Sequence, residues 1–180
     1  MSRIGNKPIN IPEGVKVDIN KNELNVKGPK GSLQLTIPTP ISVVADGNFI
    51  NVERPISDKP IKALHGLSRS LIANSIIGVS EGFQKSLEVV GVGYRAQQNG
   101  KNITLSVMLS HTVTIEPPEG INIEVQDNLI HIQGIDKQKV GQLSAEIRSV
   151  RPPNAYTGKG IRYQGELVKI KPGKSARRTV

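Results

Sequence analysis

The chain has 180 residues, 36% of them hydrophobic, and carries a formal net charge of +9. It has no cysteine, so disulfide frameworks and thiolate metal sites are excluded. No apolar run approaches the roughly 20 residues of a membrane-spanning helix, and the opening Arg3-Ile4-Gly5-Asn6-Lys7-Pro8 lacks the apolar core of a secretory signal, so a soluble intracellular protein is expected.

The apolar residues are mostly Ile, Val and Leu, which suit strands, and 18 glycines and 12 prolines imply many turns. In chain order, residues 15–26 alternate apolar and polar side chains around a polar break and predict a hairpin. A strand follows at 32–37, then a second hairpin at 41–52 that breaks at Asp46-Gly47-Asn48. Ile61, Leu64, Leu67, Leu71 and Ile72 recur at helical spacing, with Ser57 or Asp58 available as a cap and Pro60 in the first turn. Strands are predicted at 84–90 and 103–109, with Gln97-Gln98-Asn99-Gly100 as a turn between them. A hairpin at 121–132 precedes a second helical pattern of Val140, Leu143, Ile147 and Val150, which Asp136 can cap and Pro152-Pro153 ends.

The hairpins at 41–52 and 121–132 match at a constant offset of 80: Ile41, Val43, Ala45, Ile50 and Val52 correspond to Ile121, Ile123, Val125, Ile130 and Ile132. A helix follows each. This predicts an α+β protein of two similar tandem domains, each an antiparallel sheet packed on one helix, at residues 1–82 and 83–150. Each sheet is expected to keep one face free. Residues 151–180 form a basic extension of the second domain.

That extension holds eight bases (Arg151, Lys159, Arg162, Lys169, Lys171, Lys174, Arg177 and Arg178) against the single acid Glu166. The preceding 150 residues hold 16 bases and 14 acids. A positive field gathered at one end of a near-neutral body points to a polyanionic partner. The extension is too poor in apolar area to order alone, so ordering on the partner is expected. Lys169 and Lys171 flank Ile170 as on one face of an extended strand.

Catalytic chemistry finds no constellation. His65, His111 and His131 lack ligand spacing, and His131 reads as a cross-strand neighbour. Gly91-Val92-Gly93-Tyr94-Arg95-Ala96 fits a loose dinucleotide pattern, but a turn follows where a helix is needed. Gly173-Lys174-Ser175 resembles the end of a phosphate loop, but Val168 stands where its first glycine belongs. Neither a metal, a cofactor nor a small-molecule substrate is expected. Three Tyr and two Phe are too few to tile a base-stacking surface, and neither helix is basic enough for a major-groove reader. The residues therefore lead to a non-enzymatic binder of structured RNA. A protein-interaction adaptor with exposed sheets is the rival from another class.

Four separated motifs carry a resemblance. His65-Gly66-Leu67 with Arg69, Asn74, Gly78-Val79 and Glu81-Gly82-Phe83, the run 91–96, the pattern Arg151-Pro152-Pro153, Tyr156 and 158–163, and the opening Ser2-Arg3-Ile4-Gly5 resemble the bacterial-type large-subunit ribosomal protein six family. Asn154-Ala155 and Thr157 depart from the family pattern. The resemblance implies a duplicated α+β fold and direct binding to large-subunit ribosomal RNA (rRNA), mainly through the second domain and the tail. It also implies neighbouring ribosomal proteins and a place near the base of the factor-binding stalk, in the cytoplasm or, as an alternative, a plastid. By motif position it implies RNA contact for Lys159, Gly160, Arg162 and Tyr163, with Arg151 and Tyr156 in the same signature. Lys169, Lys171, Lys174, Arg177 and Arg178 join through their charge. For Tyr94 and Arg95 two readings stay open, RNA contact or a packed turn. His65 reads as a local structural residue.

Overall fold

The computed structural model describes residues 4–56 and 58–174. The chain divides into two compact units, Met1–Phe83 with Ile135–Lys137, and Gln84–Gly134 with Gln138–Val180.

In the first unit, β1 (Ile9–Asn10), β6 (Phe49–Glu53) and β5 (Ser42–Asp46) form one sheet in the order β1-β6-β5. A second sheet has the order β2-β3-β4, from Lys16–Asn20, Glu23–Gly28 and Gly31–Thr36. Helix α1 runs over Lys59–Ser80. Leu24 and Val26 of β3, Ile50 of β6, and Ile72, Ile76 and Val79 of α1 meet in one core. Asp58 occupies the N-cap position, but its carboxylate makes no cap bond. Ser57 lies outside the described residues. His65 is buried, and its Nε2 donates to the Val52 carbonyl at 2.8 Å, a local role as expected.

The second unit repeats this plan. β8 (Arg95–Asn99), β9 (Asn102–Ser106) and β10 (Val113–Ile115) form a three-stranded sheet. β11 (Ile121–Gln126), β12 (Leu129–Gly134), β7 (Phe83–Val90) and β13 (Gly160–Tyr163) form a four-stranded one in the order β11-β12-β7-β13. Helix α2 covers Lys137–Val150. The offset of 80 holds in the pairing: Val43 faces Val52 and Ala45 faces Ile50, as Ile123 faces Ile132 and Val125 faces Ile130. The turns agree as well, with positive φ at Gly47 (57°) and Asp127 (52°). Each half is thus an α+β repeat, with its strands divided between two small sheets around one core. The sheet faces expected to be free are partly used in enclosing that core. Gln98 ties the two sheets of the second unit: its amide donates to the Ile123 carbonyl at 3.1 Å and accepts from the Val125 N–H at 3.2 Å.

Several expectations need correction. Residues 97–99 belong to β8, because Gln98 pairs with Ile103 and Asn99 with Asn102, so the turn shrinks to Gly100-Lys101. The strand expected over 103–109 stops at Ser106. Strands β1, β10 and β13 carry two to four residues each, too few to show a period.

β13 is the largest correction, since it falls in the extension expected to order only on a partner. Ile161 is fully buried in the second core, opposite Val89. Burying one isoleucine side chain contributes about 1.5–3 kcal/mol, enough to hold a short edge strand that the backbone ladder also supports. The Ile161 N–H donates to the Arg151 carbonyl at 2.8 Å, and the Gln164 N–H donates to the Ser86 carbonyl at 3.0 Å. Gly160 is buried at φ 147°, and a Cβ there would stand 2.7 Å from the Pro152 carbonyl oxygen. Glu166 fastens the far end: it accepts from Arg148 Nη2 at 2.6 Å, from Arg148 Nε at 3.1 Å and from the Tyr163 N–H at 3.0 Å. Those bonds hold its carboxyl below the usual carboxylate range, with the Arg148 contact the larger cause and the Tyr163 N–H the next.

Two outcomes follow for thermal unfolding. Gly160→Ala should cost about 1–3 kcal/mol, because the strained φ and the Pro152 backbone leave no room for a methyl group. Glu166→Gln should cost about 0.5–1 kcal/mol at neutral pH, the partly exposed pair being screened by water. A depressed carboxyl stabilises fully above the ordinary carboxylate value of about 4.3 and loses that contribution as pH falls through the lower folded value. The gap in Tm between the native chain and Glu166→Gln should therefore close below about pH 4. A gap that widens on acidification would contradict this role for Glu166.

Candidate nucleic-acid interface

The residues between α2 and β13 form a closed loop organised by Asn154. Its side-chain carbonyl accepts from the Tyr156 N–H at 2.7 Å and the Thr157 N–H at 3.2 Å. Its backbone carbonyl accepts from the Gly158 N–H at 2.8 Å, and its N–H donates to the Lys159 carbonyl at 2.9 Å. Gly158 takes φ 70°, a conformation that favours glycine. The Lys159 backbone is thereby fixed while its side chain stands exposed. Beyond β13 the chain returns to this loop, where the Lys171 N–H donates to the Ala155 carbonyl at 2.7 Å. Residues 169–171 are not a strand, so the expected alternation about Ile170 is replaced by packing of Ile170 near Gly158.

The arginines and lysines of this region divide by task. Arg162 Nε bonds Glu88 Oε2 at 2.9 Å, across the β13–β7 pair. Arg148 is spent on Glu166. Arg151 Nε lies 3.4 Å from the Tyr94 hydroxyl. Arg151 is nevertheless exposed, as are Lys159, Lys169, Lys171 and Lys174, and no carboxylate pairs with any of these five cations among the described residues. Arg95 is exposed at the start of β8. An unpaired ammonium group on a fixed backbone is a point charge with three free donors, suited to phosphate oxygens.

Tyrosines add aromatic area. Tyr156 is 61% exposed and lines a recess of about 350 Å³ with Lys171, Pro172, Gly173 and Lys174. The Tyr163 ring is half-buried, with Lys85 Nζ 4.6 Å and Arg148 Cζ 5.5 Å from its centroid. Both cations lie within cation–π range.

Not every residue read from the sequence reaches the surface. Tyr94 is only 9% exposed and packs into the core. Gly160 is buried and serves the close approach to Pro152. Arg162 is directed to Glu88 rather than outward as a free fork. Arg177 and Arg178 lie outside the described residues. Asn154, Lys85 and Glu88 escaped the sequence reading. Only the loop position of Asn154 carried a signal, since Asn favours such turns.

The family model described as "Ribosomal protein L6" matches residues 11–82 and again 90–164, one match in each half of the chain. The large ribosomal subunit protein uL6 of Syntrophomonas wolfei is 53% identical over 176 residues, 97% of this chain and 98% of the relative. That of Halalkalibacterium halodurans is 53% identical over 178 residues, 98% of this chain and all of the relative. That of Dehalococcoides mccartyi is 50% identical over 176 residues, 97% of each chain. On these matches, and with the duplicated α+β architecture described above, the chain belongs to the ribosomal protein L6 family.

Proposed function

We propose that this protein is a structural constituent of the large ribosomal subunit that binds large-subunit rRNA through its second unit and basic extension. It serves translation from the cytoplasmic ribosome as a structural component, not as an enzyme. The relatives are bacterial, and the plastid alternative is without support. In this reading it sits near the base of the factor-binding stalk, among neighbouring ribosomal proteins, as the family resemblance implies. The observation that supports the reading is the set of unpaired lysines at 159, 169, 171 and 174, of which Lys159 and Lys171 stand on backbone held by the protein's own hydrogen bonds.

Lys159, Lys169, Lys171 and Lys174 engage phosphates, Tyr156 offers its ring beside Lys171 and Lys174, and Arg95 adds charge from β8. Tyr163 and Arg162 support this surface through Lys85 and Glu88, and the exposed Arg151, within reach of the Tyr94 hydroxyl, adds charge to it. Because the backbone is ordered beforehand, little ordering entropy opposes binding at these positions. No helix among the described residues is long and apolar enough to cross a membrane.

Deleting residues 151–180 would be a poor test, since it strips β13 from its sheet. Point substitutions separate charge from fold. The triple variant Lys159→Gln, Lys169→Gln, Lys171→Gln should bind large-subunit rRNA more weakly, with its log K against log salt slope reduced in magnitude by about 2–3. Its Tm should stay within about 1 °C of the native chain, as expected for exposed sites. Arg162→Ala should instead lower stability by about 0.5 kcal/mol through loss of the half-exposed Glu88 pair. Filter binding across a salt series measures the first effect and thermal unfolding the others. An unchanged slope in the triple variant would favour the adaptor reading.

A further inference from the structure

The turn at 91–93 carries an apolar projection that the charge-based account does not use. Val92 is 86% exposed between Gly91 (φ 140°) and Gly93 (φ 81°). Met108 is 67% exposed, and its Sδ lies 3.3 Å from where a Cβ on Gly93 would stand. A Cβ on Gly91 would stand 3.3 Å from Lys159 Cβ, so the same turn abuts the central lysine of the interface. Met108 also holds φ 56°, a strained conformation for an unbranched apolar residue in the left-handed region. That strain yields no burial: Val107 beside it is in the core, while Met108 is turned to solvent. A strained, solvent-facing residue is the kind of outlier that argues for function.

We infer that Val92 and Met108 form an apolar knuckle that packs on the exposed face of an unstacked nucleobase in the rRNA whose phosphates Lys159 holds. The inference rests on the rRNA-binding reading above and specifies what part of the RNA this edge of the site takes. Charge complementarity selects RNA as the occupant: Lys159 abuts the knuckle at Gly91, and Arg95 follows two residues after Gly93 in the chain. Neither side chain has an acidic partner among the described residues. A base face is flat, polarisable and apolar, and a methionine thioether makes favourable contacts with aromatic rings. A base still stacked within a helix offers no such face. The knuckle therefore discriminates loops, bulges and ends from continuous duplex, in the way RNA recognition commonly works.

The double variant Val92→Ser, Met108→Ser tests this, because both side chains are exposed and the core is untouched. The probes are in vitro transcribed large-subunit rRNA and a continuous double-helical RNA without loops, each titrated across a salt series with the full chain. The variant should bind the rRNA about five- to tenfold more weakly, a loss of the size expected for one apolar base contact. The salt slope should not change, since no phosphate contact is removed. Its affinity for the duplex should equal that of the native chain. Affinity for rRNA within twofold of native, or an equal loss on both probes, overturns the knuckle while leaving the lysine interface standing. A native chain that fails to prefer the rRNA at all overturns both. A variant that binds rRNA normally but is depleted from assembled subunits shows the knuckle docking on protein, and likewise overturns the proposal.

Discussion

The candidate interface rests on one antiparallel pairing, β13 against β7, that places a short piece of the basic extension inside the second core. Ile161 supplies the apolar contribution, and Gly160 allows the approach to Pro152. Glu166 closes the far end through Arg148 and the Tyr163 N–H. Once that strand is seated, Lys159 precedes a fixed backbone, and Lys171 is drawn back onto the 155–158 loop by its own N–H. Lys159 and Lys171 are thus mounted on a scaffold. A scaffolded array avoids much of the ordering entropy that a free basic segment would lose on binding.

This pairing is also where the two repeats part. β1, β6 and β5 of the first unit correspond to β7, β12 and β11 of the second, and the β2–β4 meander corresponds to β8–β10. β7 receives a further strand, whereas β1 ends its sheet. Pro8 and Pro12 bracket β1 and remove two N–H groups from its ladder, a common way to blunt a sheet edge. Arg69 adds to this by donating to the carbonyls of Lys7 (3.2 Å) and Pro8 (3.4 Å). Duplication supplied two similar frames, and local chemistry closed one edge while leaving the other for the extension.

Much of the fold was legible in sequence because its longest signals are periodic. The alternation in 15–26, 41–52 and 121–132 requires each hairpin to bury one side, and the offset of 80 survives into the register. β13 was not legible, since four residues show no period and the burial of Ile161 depends on Val89, 72 positions away. The site was half legible for the same reason. Charge marks out the lysines of the extension without any partner, but the contacts of Arg151 and Arg162 depend on residues distant in sequence. Glu88 lies far upstream of Arg162, and Tyr94 far upstream of Arg151. Nothing local distinguishes a free guanidinium from a committed one. The burial of Tyr94 shows the same limit: Gly91 and Gly93 announce a turn, while only the folded core shows which side chain of that turn points inward.

Amide hydrogen exchange on the RNA-free protein reports whether β13 is seated before RNA binds. The N–H groups of Ile161 and Gln164 donate to the carbonyls of Arg151 and Ser86, at 2.8 and 3.0 Å. If the extension is anchored in the core before any partner arrives, these two amides should exchange with protection comparable to that of Val89 in β7. Exchange at the rate of an unstructured peptide, slowed only when rRNA is added, would mean that the extension is seated by RNA and not by the core.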